Sequence, residues 1–137
     1  MNLSLPITDN VTEILVKIIK FTRTRQQILM QNINNLHNPA FVPKDLAVDE
    51  FCGLLDGAIQ EHLRSQCLVL CDTENIKFGA EGTFEIRPIP DEHAMKLLEK
   101  NRDEYLELQM NKLLENSLNK KVAAELLRQK QRIILNS

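Results

Sequence analysis

Aromatic and turn-forming residues are scarce in this sequence. It has no Trp, one Tyr and four Gly, and aromatic residues make up only 4% of its 137 residues. Apolar residues reach 43%, which is near the globular average and too many for a disordered chain. Leu and Ile supply most of that content, and these side chains suit helical packing better than a β-sandwich. The composition therefore predicts one mainly helical domain.

The sequence also lacks an excess of positive charge. Seventeen Lys and Arg face nineteen Asp and Glu, so the net charge is −2. Proteins that bind nucleic acid through its phosphates normally carry a basic excess. The charge balance therefore argues against nucleic-acid binding.

Targeting and membrane signals are missing as well. The first residues, MNLSLPITDN, have neither the basic region nor the small-residue cleavage site of a secretory signal peptide. Residues 11–21 contain Glu13, Lys17 and Lys20, so this apolar stretch is too short and too charged to span a bilayer. Taken alone, these features predict a cytoplasmic protein without direct membrane insertion.

No residue pattern indicates catalysis or metal binding. The histidines and cysteines share no zinc spacing, and no phosphate-binding or dinucleotide-binding motif occurs. We therefore predict no enzymatic activity, no cofactor and no metal, and we interpret the cysteines as buried or half-buried reduced thiols. The residues concerned are His37, His62, His93, Cys52, Cys67 and Cys71.

Hydrophobic periodicity divides the chain into three parts that together form one domain. Residues 1–38 and 91–137 show helical spacing, whereas residues 39–90 are mixed. Neither long helix can bury its apolar side alone, so we expect an antiparallel helical hairpin or coiled coil. We expect the middle segment, with a short helix and a short β-hairpin, at the far end of that hairpin.

Local signals set the expected boundaries. Thr8 or Asp9 can cap the first helix, and Asn38-Pro39 closes it because proline disfavours helical geometry in its predecessor. Asp45 or Asp49 can start the middle helix, and Asn101 or Asp103 can cap an internal start within the last part. Residues 76–78 and 83–86 suggest a hairpin, and residues 67–71 have strand-like character.

The first helix has a wide apolar side that includes two polar residues. Ile14, Phe21 and Ile28 repeat every seven residues beside a line that carries Arg25 and Asn32. This side is wider than one partner helix needs, so we expect contacts with further copies or partner subunits. Polar residues in such a strip penalise slipped pairings. An exposed Arg25 lying on apolar neighbours and a tolerated rim Asn32 are the alternatives.

Two substitutions express these expectations. Asn32→Leu should leave the isolated chain unharmed and disturb only the register between copies. Leu118→Asp should place a charge in the seam between the two long helices.

The segment from Arg25 to Asp45, RQQILMQNINNLHNPAFVPKD, resembles the N-terminal pattern of bacterial flagellar axial proteins. That family has an Arg, an Ile-Leu pair and N-I-x-N before T-P-G-Y, and then a basic-acidic pair. Asn38, Ala40 and Phe41 replace the Thr, Gly and Tyr of that turn. The matching residues are Arg25, Ile28, Leu29, Asn32, Ile33, Asn35, Pro39, Lys44 and Asp45.

The last part of the chain resembles the family's C-terminal helix, M-x-x-L-x-x-N-x-L. The aromatic-Gln pair that normally follows is replaced by Lys120-Lys121, and the middle segment shows no resemblance. The resemblance implies an assembly interface formed by this second set together with Arg25, Ile28, Leu29, Asn32, Ile33, Asn35, Pro39 and Phe41. The second set is Met110, Leu113, Asn116 and Leu118.

Within that family, the short length of this chain is most similar to that of a proximal rod subunit of the flagellar basal body. The resemblance then implies a structural protein that polymerises helically through its terminal helices into a hollow drive shaft. Its partners would be copies of itself, other rod, adaptor and ring proteins, and the type III export apparatus. Its location would be the periplasmic rod, reached without a cleaved signal peptide. The alternative is a cytoplasmic helical adaptor or export chaperone.

Overall fold

Helices dominate the computed structural model, which describes residues 9–80 and 83–136, and the expected mainly helical fold class is confirmed. Two small antiparallel sheets accompany the helices, one pairing β1 with β4 and the other pairing β2 with β3. In chain order the elements are α1 (Asn10–Asn34), β1 (Lys44–Asp45), α2 (Val48–Ser65), β2 (Ile76–Phe78), β3 (Phe84–Ile86), β4 (Ile89–Pro90), α3 (Glu92–Lys100) and α4 (Arg102–Asn136).

The ends of α1 follow from its capping residues. The Asp9 side chain accepts a hydrogen bond of 2.8 Å from the Thr12 N–H, which satisfies one of the free donors of the first turn. The other candidate cap, Thr8, lies outside the described residues. The helix ends at Asn34, and the Asn35 N–H still bonds to the Gln31 carbonyl.

The two long helices pack against each other in antiparallel order, as the periodicity predicted. Side-chain contacts join them near the beginning, the middle and the end of α1, and the partners on α4 occur in reverse order. These contacts are Asp9–Lys130, Thr22–Asn116 and Asn32–Gln109.

The middle segment lies beside α1 and not at the far end of the hairpin, so that expectation was wrong. The Phe21 ring stacks on the Phe51 ring of α2 with centroids 4.0 Å apart, and Phe84 of β3 follows at 6.3 Å from Phe51. At the other end of α2, the Asn10 amide bonds to the Gln66 carbonyl at 3.0 Å. The helix α2 therefore runs antiparallel to α1 on the side that α4 leaves free.

This packing uses the apolar side of α1 that was expected to contact further copies. Phe21 is 3% exposed and belongs to the central apolar cluster, against which Ile28 packs. Ile14 is buried as well. The width of the apolar side is explained within one chain, because α1 has two partners: α4 and the middle segment.

The expected hairpin of the middle segment is confirmed. Ile76–Phe78 pairs with Phe84–Ile86, and Phe78 lies opposite Phe84. At the start of the turn, a Cβ on Gly79 would lie 2.6 Å from the Thr83 hydroxyl oxygen. Any larger residue at this position would require the Thr83 side chain to shift.

The boundaries of the other elements differ in detail from the expectation. The helix α2 begins at Val48, so Asp49 lies in its first turn and Asp45 lies in β1. A short helix, α3, precedes α4 as expected. The Asn101 side chain accepts hydrogen bonds of 3.1 and 3.2 Å from the N–H groups of Asp103 and Glu104, so Asn101 is the internal cap.

Two expectations for the cysteine region were wrong. Residues 67–71 form no strand, because no other strand pairs with them among the described residues. All three thiols are exposed, whereas buried or half-buried thiols were expected. Cys52 lies on the outer side of α2, and Cys67 and Cys71 lie in the segment that follows this helix.

Candidate assembly surface

A buried ion pair connects the two ends of the signature that begins at Arg25. The Arg25 Nε donates to Asp45 Oδ1 at 2.9 Å, and Nη2 donates to Oδ2 at 3.0 Å. This two-pronged geometry is the strongest that an Arg and a carboxylate form. Arg25 is only 6% exposed, so the alternative of an exposed arginine was wrong.

Lys112 of α4 joins this ion pair to the start of α3. Its Nζ donates to Asp45 at 2.9 Å and to Asp91 at 2.7 Å, while Asp91 also caps α3 by accepting from the Ala94 N–H at 3.1 Å. We call Arg25, Asp45, Asp91 and Lys112 the charge cluster. It connects α1, β1, α3 and α4 through four side chains.

Opposite charges overcome the effect of burial in the charge cluster. Burial opposes the ionisation of Asp45, but the hydrogen bonds and charges of Arg25 and Lys112 hold the pKa of its carboxyl below the ordinary value. Burial likewise disfavours the charged Lys112, but Asp91 and Asp45 raise the pKa of its amine above the ordinary value. Each ion is thus stabilised in its charged form.

Asn32 holds the start of β1 against α1 and α4. Its amide donates to the Lys44 carbonyl at 2.7 Å and to Gln109 Oε1 at 2.9 Å, and its oxygen accepts from the Lys44 N–H at 3.1 Å. The side chain is 1% exposed. Asn32 is therefore a fully buried connector, and the alternative of a rim residue was wrong.

Tyr105 supports the same position from α4. Its hydroxyl donates to the Asn32 carbonyl oxygen at 2.8 Å. Burial, with a contribution from the Asp91 charge, raises the pKa of Tyr105 to about 12. The phenol therefore stays a neutral hydrogen-bond donor near neutral pH.

The inward side of α4 carries polar side chains from Tyr105 to Asn116, which the sequence analysis did not predict. Tyr105, Gln109, Lys112 and Asn116 follow each other in steps of three and four, and the Asn116 amide donates to the Thr22 carbonyl at 2.7 Å. That spacing was the available signal for a polar seam. This seam was missed because Leu118 was expected to occupy it instead.

The predicted interface residues fall into three groups by exposure. Leu118 is 56% exposed, so the seam position predicted for it was wrong. A role of these residues in contacts between copies stays a prediction. Arg25, Leu29, Asn32 and Asn116 are buried; Ile28, Ile33, Asn35, Phe41 and Leu113 are half-buried; Pro39, Met110 and Leu118 are exposed.

Exposed apolar side chains line the outer side of α4. They recur every fourth residue, and Leu118 lies two residues after the inward Asn116, so it points away from α1. Each is at least 48% exposed. The row consists of Met110, Leu114, Leu118, Val122 and Leu126, and we call it the α4 stripe.

Charged residues border the C-terminal half of the α4 stripe. Lys121, Glu125 and Arg128 line a shallow groove together with Leu118, Val122 and Leu126, and Glu125 and Arg128 form an ion pair. Rows of exposed apolar side chains with a charged border mark surfaces that bind other proteins. The α4 stripe is the candidate assembly surface of this chain.

A second concave region lies between the Asn38–Phe41 turn and α3. This cleft of about 640 Å³ is lined by apolar Phe41, Met95 and Leu98 and by the charged Arg102. Within residues 9–80 and 83–136, no three metal-ligating side chains come together, and no helix is long and apolar enough to span a membrane. The cleft shows no paired nucleophile and base.

Comparison with protein-family models, curated proteins and solved structures found no match to this chain.

Proposed function

We propose that this chain is a structural subunit of the bacterial flagellar proximal rod, of the FlgB type. Copies assemble through their terminal helices into the hollow drive shaft, together with other rod, adaptor and ring proteins. The subunit reaches the periplasm through the type III export apparatus. This proposal rests on the sequence resemblance and on what the resembling residues do in the fold.

One observation carries the proposal: the residues of the resemblance join the same part of the structure. Arg25 binds Asp45, and Asn32 binds Lys44, so the beginning and end of the first signature meet. Asn116 of the second signature binds α1 at the Thr22 carbonyl. A chance similarity of spaced residues gives no reason for such mutual contacts.

The α4 stripe gives the proposed subunit a surface for its neighbours. Its five members span 17 residues of helix, and the rise from Met110 to Leu126 is about 24 Å at 1.5 Å per residue. The stripe rotates around α4 because a spacing of four exceeds the helical repeat of 3.6. A rotating row suits neighbours that cross the helix at an angle, as in a helically wound assembly.

The test is genetic complementation in the source bacterium. Deletion of the gene should abolish swimming, and the wild-type gene should restore it. The double variant Leu118→Asp, Val122→Glu should leave the isolated chain folded and fail to restore swimming, because both exposed positions lie on the α4 stripe. Gln26→Glu, which adds a negative charge to an exposed position on α1, should restore it.

The same experiment separates the proposal from an adaptor or export chaperone. A rod subunit should be recovered in purified basal bodies, and the stripe variant should be missing from them. Normal swimming of the deletion strain, or a chain found only in the cytoplasm as a compact dimer under reducing conditions, would refute the rod proposal. Light scattering in the presence of dithiothreitol gives the second readout.

A further inference from the structure

The segment that follows α2 is extended and lies along that helix. It leaves the end of α2 at Gln66, and Thr73 bonds to Glu50 in the first turn of α2 at 2.7 Å. From Glu50 to Gln66 the helix rises about 24 Å, and seven residue steps supply at most about 25 Å. Thr73 and Glu50 meet through their side chains, so the backbone covers somewhat less than this distance, but residues 67–72 must still be extended rather than helical.

Side-chain exposure alternates along this extended segment, as it does in a strand on the surface of a protein. Leu68 and Leu70 are half-buried, whereas Cys67, Val69 and Cys71 are exposed, with Val69 at 46%. The inward leucines attach the segment to the fold. The outward face carries two thiols on either side of a valine.

Among residues 9–80 and 83–136, no other backbone group pairs with this segment. Charged residues and prolines normally protect such an edge, and residues 67–71 contain neither. Residues 67–71 thus have the exposure pattern of a strand, and no strand of the described residues pairs with them.

The sequence of the segment is symmetric, and this symmetry suits pairing with an identical segment. Residues 67–71 read Cys-Leu-Val-Leu-Cys, which is the same in both directions. An antiparallel pair of two such segments, related by a two-fold axis at Val69, places identical or equivalent residues opposite each other. We propose that a second copy of this chain pairs with residues 67–71 in this register, so that Cys67 of each copy lies opposite Cys71 of the other.

The register allows two disulfides between the copies. Directly opposite residues in an antiparallel pair have Cα atoms about 4.5–5.5 Å apart, which lies within the range of a disulfide. Within one chain, Cys67 and Cys71 are four extended residues or about 13 Å apart, which is too far. The geometry thus favours links between copies over a link within one copy.

A disulfide oxidant of the glutathione type supplies the oxidising equivalents. The thiolate of Cys67 attacks the oxidant's disulfide and releases one thiol, and the thiolate of Cys71 from the other copy attacks the mixed disulfide and releases the second. One oxidant disulfide is reduced to two thiols for each protein disulfide formed. Exposure of both thiols provides access for this exchange.

Mixing of single variants tests the register. All proteins carry Cys52→Ser, which removes the third thiol, and are treated with oxidised glutathione before non-reducing electrophoresis. The parent should give a linked dimer, whereas Cys67→Ser alone and Cys71→Ser alone should lose it. A mixture of these two variants should regain the dimer, because each supplies the thiol that the other lacks.

The linked peptides decide between this register and its competitors. Mass spectrometry should find Cys67 linked to Cys71. Dimers from either single variant alone, a disulfide within a monomer, or random pairing of all thiols would overturn the proposal. Circular dichroism of each variant confirms that the exposed substitutions leave the fold intact.

A charge test at the two-fold axis checks the pairing independently of the cysteine positions. Val69→Asp and Val69→Lys should each lose the linked dimer, because like charges then lie directly opposite. A mixture of the two should regain it. Equal cross-linking of both variants alone would overturn the register.

This inference does not depend on the proposed function, because it uses α2 and the following segment and not the α4 stripe. The complementation experiment tests the rod proposal, and the oxidation experiment tests the strand pairing. Failure of one leaves the other unchanged.

Discussion

The substitution Asp45→Ala should be among the most destabilising single changes in this protein. It leaves the Arg25 guanidinium buried without its carboxylate, and Arg25 has no second acceptor among the described residues. Breaking a buried ion pair from one side costs about 3–5 kcal/mol. Asp45 also accepts from the Leu46 N–H at 2.7 Å, so the upper part of that range applies.

Urea denaturation followed by circular dichroism at 222 nm measures this loss. In a domain of this size, the same loss lowers the midpoint of thermal unfolding by about 10–20 °C. Lys112→Met should cost less, because the Lys112 side chain is 22% exposed and its removal leaves Asp45 with Arg25. A loss below about 1 kcal/mol for Asp45→Ala, the range of exposed ion pairs, would refute the argument that this pair is buried and structural.

A double-mutant cycle distinguishes the ion pair from loss of packing. Arg25→Met and Asp45→Ala should each be strongly destabilising, and the double variant should be less destabilised than their sum by about 2–3 kcal/mol. Acid gives a second signature. Because the pKa of Asp45 is lowered by folding, its contribution is present above pH 3.8 and is lost as the pH falls through the folded-state value. Additive losses and an Asp45→Ala variant with unchanged acid sensitivity would contradict this.

Three further outcomes follow from the packing. Stability should fall as the pH rises from about 10 towards 12, because folding raises the pKa of both Tyr105 and Lys112, and Tyr105→Phe should reduce that alkaline loss in a pH titration of unfolding. Asp9→Ala should cost about 1 kcal/mol in urea denaturation through loss of the α1 cap, and Asp9→Asn should restore most of it. Leu118→Asp should change the free energy of unfolding by less than about 0.5 kcal/mol, because the side chain is exposed; a large loss would contradict its position on the outer side of α4.

Local patterns in the sequence were sufficient for the elements themselves. The cap at Asp9, the internal cap at Asn101 and the β2–β3 hairpin each depend on residues close in sequence, whereas α1 ends at Asn34, four residues before the expected stop at Asn38. The antiparallel pairing of the long helices followed from their length and apolar periodicity. These features needed no information about distant contacts.

Such local patterns could not predict how the middle segment packs against α1. Phe21, Phe51 and Phe84 come from three different elements, and only the folded chain shows that their rings stack. A wide apolar side of a helix predicts several partners but does not say whether these belong to the same chain. Residues 67–71 show the opposite case. Their strand-like pattern was real, but a strand requires a partner to be formed.

The polar seam between α1 and α4 was missed because polar residues on the apolar side of a helix allow two interpretations. Asn32 and Gln109 lie 77 positions apart, and their hydrogen bond depends on the register of the whole hairpin. In isolation, each is equally compatible with contacts between copies or with a position at the rim of an apolar surface. The structure makes the seam an internal determinant of register.

The expectation that Asn32→Leu leaves the isolated chain unharmed is revised by this structure. Leucine removes three hydrogen bonds and leaves the Lys44 N–H and carbonyl and the Gln109 amide without that partner. The Gln109 oxygen is buried and costs about 1–3 kcal/mol when it is left unpaired, whereas the Lys44 groups are only part-buried, so the total should be about 1–3 kcal/mol. Urea denaturation of the isolated chain measures it directly.

Gln109→Met is the matched comparison on the other side of the same hydrogen bond. Gln109 is fully buried, and its Nε2 has no partner among the described residues. Methionine removes this unpaired donor but leaves the Asn32 N–H that bonded to Gln109 Oε1 without an acceptor, so one unpaired donor replaces another, while the bond of Asn32 to the Lys44 carbonyl is kept. The change should therefore stay within about 1 kcal/mol. Two equal losses would show that the seam acts through its packing alone. A large loss of unfolding free energy for Asn32→Leu with a small one for Gln109→Met would show that the Asn32 amide, which binds both α4 and β1, sets the register of the hairpin.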